Sequence, residues 1–209
     1  NELRSELDLP PLPQDRRLDD DEIESNVAST VASHIPLECI DVTPSFSSCE
    51  SRMVKEGIEG GSTMLALKLS GFAGKIGTKT MDIDGAQLPR LGRELAGAAK
   101  LAGVRGVFHS DELPAYGIEE SHVLAVRNTL GLSSEDAFVL CLAPSWQAQL
   151  ALEAVGHRAR LAYHRIPQEV RNVVVKKGAP DDGTTTPMRP LPGGARMYPE
   201  TDVPTVSVE

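Results

Sequence analysis

Aromatic side chains make up only 4% of the 209 residues, with a single tryptophan, which argues against a surface built to stack single-stranded bases. Cysteine is scarcer still. Cys39, Cys49 and Cys141 are odd in number and lack close metal-ligand spacing, so neither a disulfide framework nor a zinc site is expected, and the thiols read as buried or idle. Long apolar runs are missing as well: the longest, Phe138 to Ala143, is far too short to span a bilayer, and no charged-then-apolar leader opens the chain. The expectation is a soluble, cytoplasmic protein without membrane contact. The chain opens on Asn1 rather than Met, which points to a fragment or a processed product.

Excess positive charge is the last absence, the net charge being −9. Residues 1–60 hold 5 basic and 14 acidic residues, which accounts for the whole imbalance. From His157 to Arg196 the sign reverses, with Arg158, Arg160, Arg165, Arg171, Lys176, Lys177, Arg189 and Arg196 facing only Glu169, Asp181 and Asp182. Any polyanion contact belongs to that stretch, and a dedicated DNA-binding role is not expected.

The first 61 residues read as an acidic segment and linker, with a Leu-Pro-Pro-Leu-Pro turn at Leu9 to Pro13. Asp19 to Asp21 can cap a helix along Ile23, Val27 and Val31, and Leu37 to Val42 has a strand's composition. From Ser62 the pattern becomes regular. Leu65, Leu67 and Leu69 alternate with Lys68 opposite, which predicts a half-buried strand. Gly71, Gly74 and Gly77 with Lys75 and Lys79 form a turn-rich connection that lacks the Gly-Lys-Ser/Thr of a P-loop. Leu88, Leu91, Leu95, Ala98 and Ala102 then repeat at helical spacing, and Val104 to His109 alternates as a strand. A helix follows from Glu119 to Leu130, and the continuous apolar run from Phe138 suits a central strand. Ser145 can cap a long helix to about His164, with Trp146 as a core anchor. Residues 62–165 thus predict one compact α/β or α+β domain. The texture changes beyond it, where 7 of the 15 prolines fall in residues 166–209, a stretch unlike a domain of its own.

His109, Ser110, Asp111 and Glu112 stand in a row, but a triad needs its members to converge in space, so a strand-end histidine followed by capping acids is the expected reading. The C-terminal stretch is different in kind. Pro199 and Pro204 stiffen a loop in which Glu200 and Asp202 point the same way if extended, with Arg196 upstream on that side. Two carboxylates and an arginine suit Mg²⁺ and phosphate oxygens; a solvated loop has the same composition, and residue types alone leave both readings open.

Several stretches, taken together and in order, resemble the E subunit of the archaeal glutamyl-tRNA(Gln) amidotransferase. They are Gly60-Gly61 with Leu69-Ser-Gly-Phe-Ala-Gly74, then Gly106 to Pro114 with Tyr116-Gly117, then Asp136 to Val139. The last is Met188-Arg-Pro-Leu-Pro-Gly193 running into Ala195-Arg-Met-Tyr-Pro-Glu-Thr-Asp-Val-Pro204. The final block is also similar to one in the B subunit of the related bacterial enzyme. The resemblance implies an enzyme that converts Glu-tRNA(Gln) to Gln-tRNA(Gln): it phosphorylates the glutamate side chain with ATP and Mg²⁺ and receives ammonia from its asparaginase-like partner, the D subunit. It implies an α+β fold in which residues 62–165 are an insertion shared with bacterial-type aspartyl-tRNA synthetases. Residues 1–61 would lead in from a cradle-shaped catalytic domain, and 166–209 would return to it. Glu169 and Glu200 are then expected as catalytic carboxylates, Glu169 and Asp202 as metal ligands, and Arg171, Arg189 and Arg196 as nucleotide or phosphate ligands. The family's early cradle segment and its C-terminal helical domains are not in this chain, so the fragment is expected to be inactive alone. The alternative is a non-catalytic module that contacts tRNA or the partner subunit.

Overall fold

The computed structural model describes residues 2–11, 20–79, 90–164, 169–173 and 185–190; the side chains of 20–25, 169, 186, 187, 189 and 190 lie outside that description. Four strands, β1 (Cys39–Asp41), β2 (Thr63–Leu69), β3 (Phe108–His109) and β4 (Ala137–Ala143), pair in the order β1-β2-β4-β3, every neighbour antiparallel. The long central pair sets the register, from Thr63 opposite Ala143 to Leu69 opposite Ala137. Among the described residues six helices accompany the sheet: α1 (Glu2–Glu6), α2 (Asp20–His34), α3 (Arg52–Glu59), α4 (Leu91–Lys100), α5 (Glu120–Thr129) and α6 (Ser145–Arg160). The fold is α+β, one of the two classes the sequence pattern allows and the one the family resemblance implies.

Period-two burial explains how two cores arise from one sheet. Leu65, Leu67 and Leu69 of β2 and Val139 and Cys141 of β4 face one way, onto Val27 and Val31 of α2, Leu95 and Ala99 of α4, and Ala148, Leu152 and Val155 of α6. Met64, Ala66, Phe138 and Leu140 face the other way, onto Phe46, Val54 of α3, and Val123 and Val126 of α5. The strand predicted as half-buried is therefore buried on both faces; Lys68 remains accessible and pairs with Asp136 at 3.0 Å. The α6 helix lies close to the sheet at Gly156, where a Cβ would overlap Leu37 and come within 3.2 Å of Leu67 Cδ2.

The acidic N-terminal stretch packs on this body. The Arg4 side chain is buried, donating from Nε to Pro10 O at 2.6 Å and from Nη1 to Tyr163 O at 2.9 Å, and Lys75 Nζ reaches Glu6 at 2.9 Å. Two further sequence expectations are corrected. The strand expected at Val104 to His109 is reduced to Phe108–His109, which pairs only with Leu140 and Val139 at the sheet edge. Trp146, expected in the core, is 66% exposed, because the helix starts with Ser145 just after Pro144 and turns position 146 outward. All three cysteines are free; Cys49 and Cys141 are buried, and burial raises the Cys141 thiol to about 11. Cys39 and Cys141 lie on strands separated by β2.

The proline-rich stretch supplies a separate two-stranded sheet, β5 (Glu169–Val173) antiparallel to β6 (Thr185–Pro190). Pro187 and Pro190 have no N–H to give the ladder, and the register slips between Val170 and Arg171. Among the described residues no helix is long and apolar enough to cross a membrane.

Candidate functional site

Three of the six residues singled out in the sequence meet on this hairpin. Glu169 opens β5 opposite Pro190, Arg189 stands opposite Val170, and Arg171 pairs with Pro187 just past the register slip. The side chains of Glu169 and Arg189 fall outside the described residues, as do Arg196, Glu200 and Asp202 altogether. Arg171 alone has a described side chain, and it points at the body of the protein.

Its partner is Glu94 of α4. Arg171 Nη2 donates to Glu94 Oε1 at 2.6 Å and Nη1 to Oε2 at 3.3 Å, while Nε donates to Thr185 Oγ1 at 2.7 Å. A second arginine, Arg158 of α6, donates from Nη2 to Glu94 Oε2 at 2.6 Å. The Glu94 side chain is only 8% exposed, so two guanidinium groups share one carboxylate largely withdrawn from water. Sequence reasoning missed Glu94 and Arg158. The available signal was local: Glu94 sits between Leu91 and Leu95 at the margin of the apolar stripe of α4, where a carboxylate needs a cation.

The glycine-rich loop after β2 makes an anion cradle that the protein fills itself. The Gly74, Ile76 and Gly77 N–H groups donate to the Asp111 carboxylate at 3.0, 2.8 and 2.9 Å, and Gly71 N–H donates to Asp136 Oδ1 at 3.2 Å. These backbone donors are engaged by two side-chain carboxylates of the protein itself. Asp136 also accepts from Ser133 N–H and Oγ, both at 3.0 Å. Burial pushes its carboxyl upward, but the hydrogen bonds from Ser133, Lys68 and Gly71 outweigh burial and hold it below the usual range.

Asp111 is thus committed to the loop, and Glu112 accepts from His109 N–H and from the Tyr116 hydroxyl, each at 3.2 Å. The run His109 to Glu112 is a strand end and its cap, as expected, and the charge of Glu112 beside Tyr116, with that hydrogen bond, raises the phenol. Among the described residues no group of three or more His, Cys, Asp or Glu is placed to hold a metal ion.

An open cleft of about 860 Å³ lies where β2 begins and β4 ends, lined among others by Arg52, Met53, Arg105, Phe108, Leu142 and Gln147. Next to Gln147 on α6 stands the exposed Trp146, and Leu150, one turn on, is 50% exposed. Gln147 Nε2 donates to Ala102 O at 3.0 Å, which brings the 87% exposed Leu101 to the same end of the helix pair.

No family model matches the chain. Among curated proteins it is 42% identical over 193 residues to the glutamyl-tRNA(Gln) amidotransferase E subunit of Methanopyrus kandleri, an overlap of 92% of this chain and 28% of that protein. The E subunit of Methanosarcina acetivorans is 44% identical over 171 residues, 82% of this chain and 25% of its own length. For the E subunit of Pyrococcus furiosus the figures are 45%, 171 residues, 82% and 25%. The chain therefore spans about a quarter of the length of these relatives, and the resemblance carried by its motifs extends along most of its residues.

Proposed function

We propose that this chain is part of a tRNA-dependent amidotransferase that converts Glu-tRNA(Gln) to Gln-tRNA(Gln). The observation that carries the proposal is the 42% identity to a protein named as the E subunit of that enzyme, maintained over 92% of the chain. On this reading the body from β2 to α6 is the aspartyl-tRNA-synthetase-like insertion, and the β5–β6 hairpin begins the return to the cradle. Neither acts alone.

In the complete protein the glutamyl γ-carboxylate attacks the γ-phosphorus of ATP and ADP leaves. Ammonia from the asparaginase-like D subunit then displaces phosphate from the acyl phosphate to give the amide. Bound Mg²⁺ would neutralise phosphate charge, with Glu169 and Asp202 as its carboxylate ligands, a donor set suited to this ion because Mg²⁺ takes one or two carboxylates plus phosphate oxygens. Arg189 and Arg196 hold phosphate oxygens, Arg171 belongs to the same side of the site, and Glu200 acts with Glu169 as a catalytic carboxylate. Glu200→Gln or Asp202→Asn in the complete protein, assayed with its partner and Glu-tRNA(Gln), is expected to lower γ-glutamyl phosphate formation by about a hundredfold. Wild-type rates in both variants remove these residues from the site.

A second reading, a module that contacts tRNA without taking part in the chemistry, is favoured by the exposed Trp146 beside a cleft lined by Arg105, where Arg52 is paired with Glu56 at 2.6 Å. The double substitution Trp146→Ser with Arg105→Glu is expected to weaken tRNA binding by about tenfold at low salt and to leave the melting temperature unchanged. Undiminished binding sinks that reading.

A further inference from the structure

We infer that Glu94 is a positioning residue that seats the β5–β6 hairpin on the α4–α6 helix pair, with Arg171 acting as a tether to it rather than as a direct phosphate ligand. The inference rests on the proposed nucleotide site for its functional consequence, but not for its geometry.

A guanidinium has five N–H donors in a fixed fork. Four of Arg171's have named acceptors: Nε on Thr185 Oγ1 at 2.7 Å, Nη2 on Glu94 Oε1 at 2.6 Å and on Thr185 O at 3.3 Å, and Nη1 on Glu94 Oε2 at 3.3 Å. Bidentate phosphate recognition uses the same edges. Arg171 cannot take a phosphate with that fork without leaving Glu94, and leaving would take a cation from an acid that is 8% exposed. Thr185 opens β6 directly across from Val173, so the one guanidinium ties both strands of the hairpin to α4.

Arg158 strengthens the arrangement. Its contact with Glu94 Oε2 at 2.6 Å comes from α6, so α4, α6 and β5 converge on a single carboxylate. Two cations sharing one anion repel each other, and Glu94 offsets that repulsion. The consequence is functional because Glu169 lies two residues before Arg171 on the same strand, where the seating of β5 determines where Glu169 stands.

The test compares wild type, Glu94→Gln and Glu94→Asp in the 209-residue chain by hydrogen–deuterium exchange. Glu94→Gln is expected to speed exchange of the amides in residues 169–173 and 185–189 by about tenfold or more, with β2 and β4 within about twofold of wild type. Glu94→Asp, which keeps the charge, should restore much of the protection. Unchanged hairpin exchange in Glu94→Gln, or an equal rise in β2 and β4, overturns the tether. In the complete protein, Glu94→Gln should lower kcat for acyl phosphate formation and leave the KM for ATP within about threefold. A KM for ATP raised tenfold or more in Arg171→Gln, with hairpin exchange at the wild-type rate, would mean that Arg171 holds phosphate and would overturn its assignment as a tether. A hairpin that loosens while kcat and KM stay at wild-type values would keep the tether and instead remove this hairpin from the nucleotide site.

Discussion

Two segments of this protein are fastened to the same body by carboxylates, and they are fastened in opposite ways. The loop from Gly71 to Gly77 is held by Asp111 and Asp136, whose oxygens accept from neutral backbone N–H groups. The β5–β6 hairpin is held by Glu94, whose oxygens accept from two charged side chains. Amide donors are fixed by the backbone, so the loop must take one shape to be satisfied, and its carboxylates come from residues close by in the fold. Guanidinium donors sit at the end of long side chains and can reach an acid 77 residues away in sequence. The first device specifies a conformation; the second joins two pieces that would otherwise be independent.

Removing Asp111 should have the largest effect on stability. Asp111→Ala leaves three backbone donors without their acceptor and is expected to cost about 3 kcal/mol, read from the denaturant midpoint. A silent substitution would mean that the amide cradle does not hold the loop. Asp136→Asn comes next, at about 2 kcal/mol near neutral pH, because it loses the Lys68 pair and the charge on its amide bonds. The folded carboxyl lies below its ordinary value, so its contribution is complete above the unfolded value of about 4 and is lost as pH falls through the folded one. The gap between wild type and Asp136→Asn should therefore close in melts run from about pH 6 down to about pH 2, and a pH-independent gap would deny that charge matters there. Smallest is Arg158→Lys, expected to cost about 1 kcal/mol or less, since a lysine keeps the positive charge beside Glu94 and Arg171 still holds the acid. A loss as large as that of Asp111→Ala would make the charged fastening as exacting as the amide one and erase the contrast.

Periodicity made most of the body legible. The apolar stripe of Val27 and Val31 and the alternation of Leu65, Leu67 and Leu69 are observed on α2 and β2. Burial of β2 on its second face was not legible, because Met64 and Ala66 signal weakly beside three leucines and a lysine. Nor was the outward turn of Trp146, which depends on where α6 begins rather than on the tryptophan's own preference. Asp111 could be seen as a capping acid, but the loop it caps is 34 to 37 residues away in the chain. Of the site, Arg189 stands in a family block and Glu169 and Arg171 follow from the resemblance and the basic charge around them, but the hairpin that gathers them is interrupted by prolines that hide its strands. The joining of Arg171 to Glu94 had no signature on the arginine's side.

The placement of the thiols gives the molecule a chemical clock. Cys49 and Cys141 have no solvent-accessible surface, and Cys141 sits inside the central strand pair, its thiol held protonated at neutral pH. An alkylating reagent attacks only a thiolate it can reach, so labelling of Cys141 has to wait for β4 to part from its neighbours. Its alkylation rate would therefore report how often the sheet opens, with no label engineered into the chain.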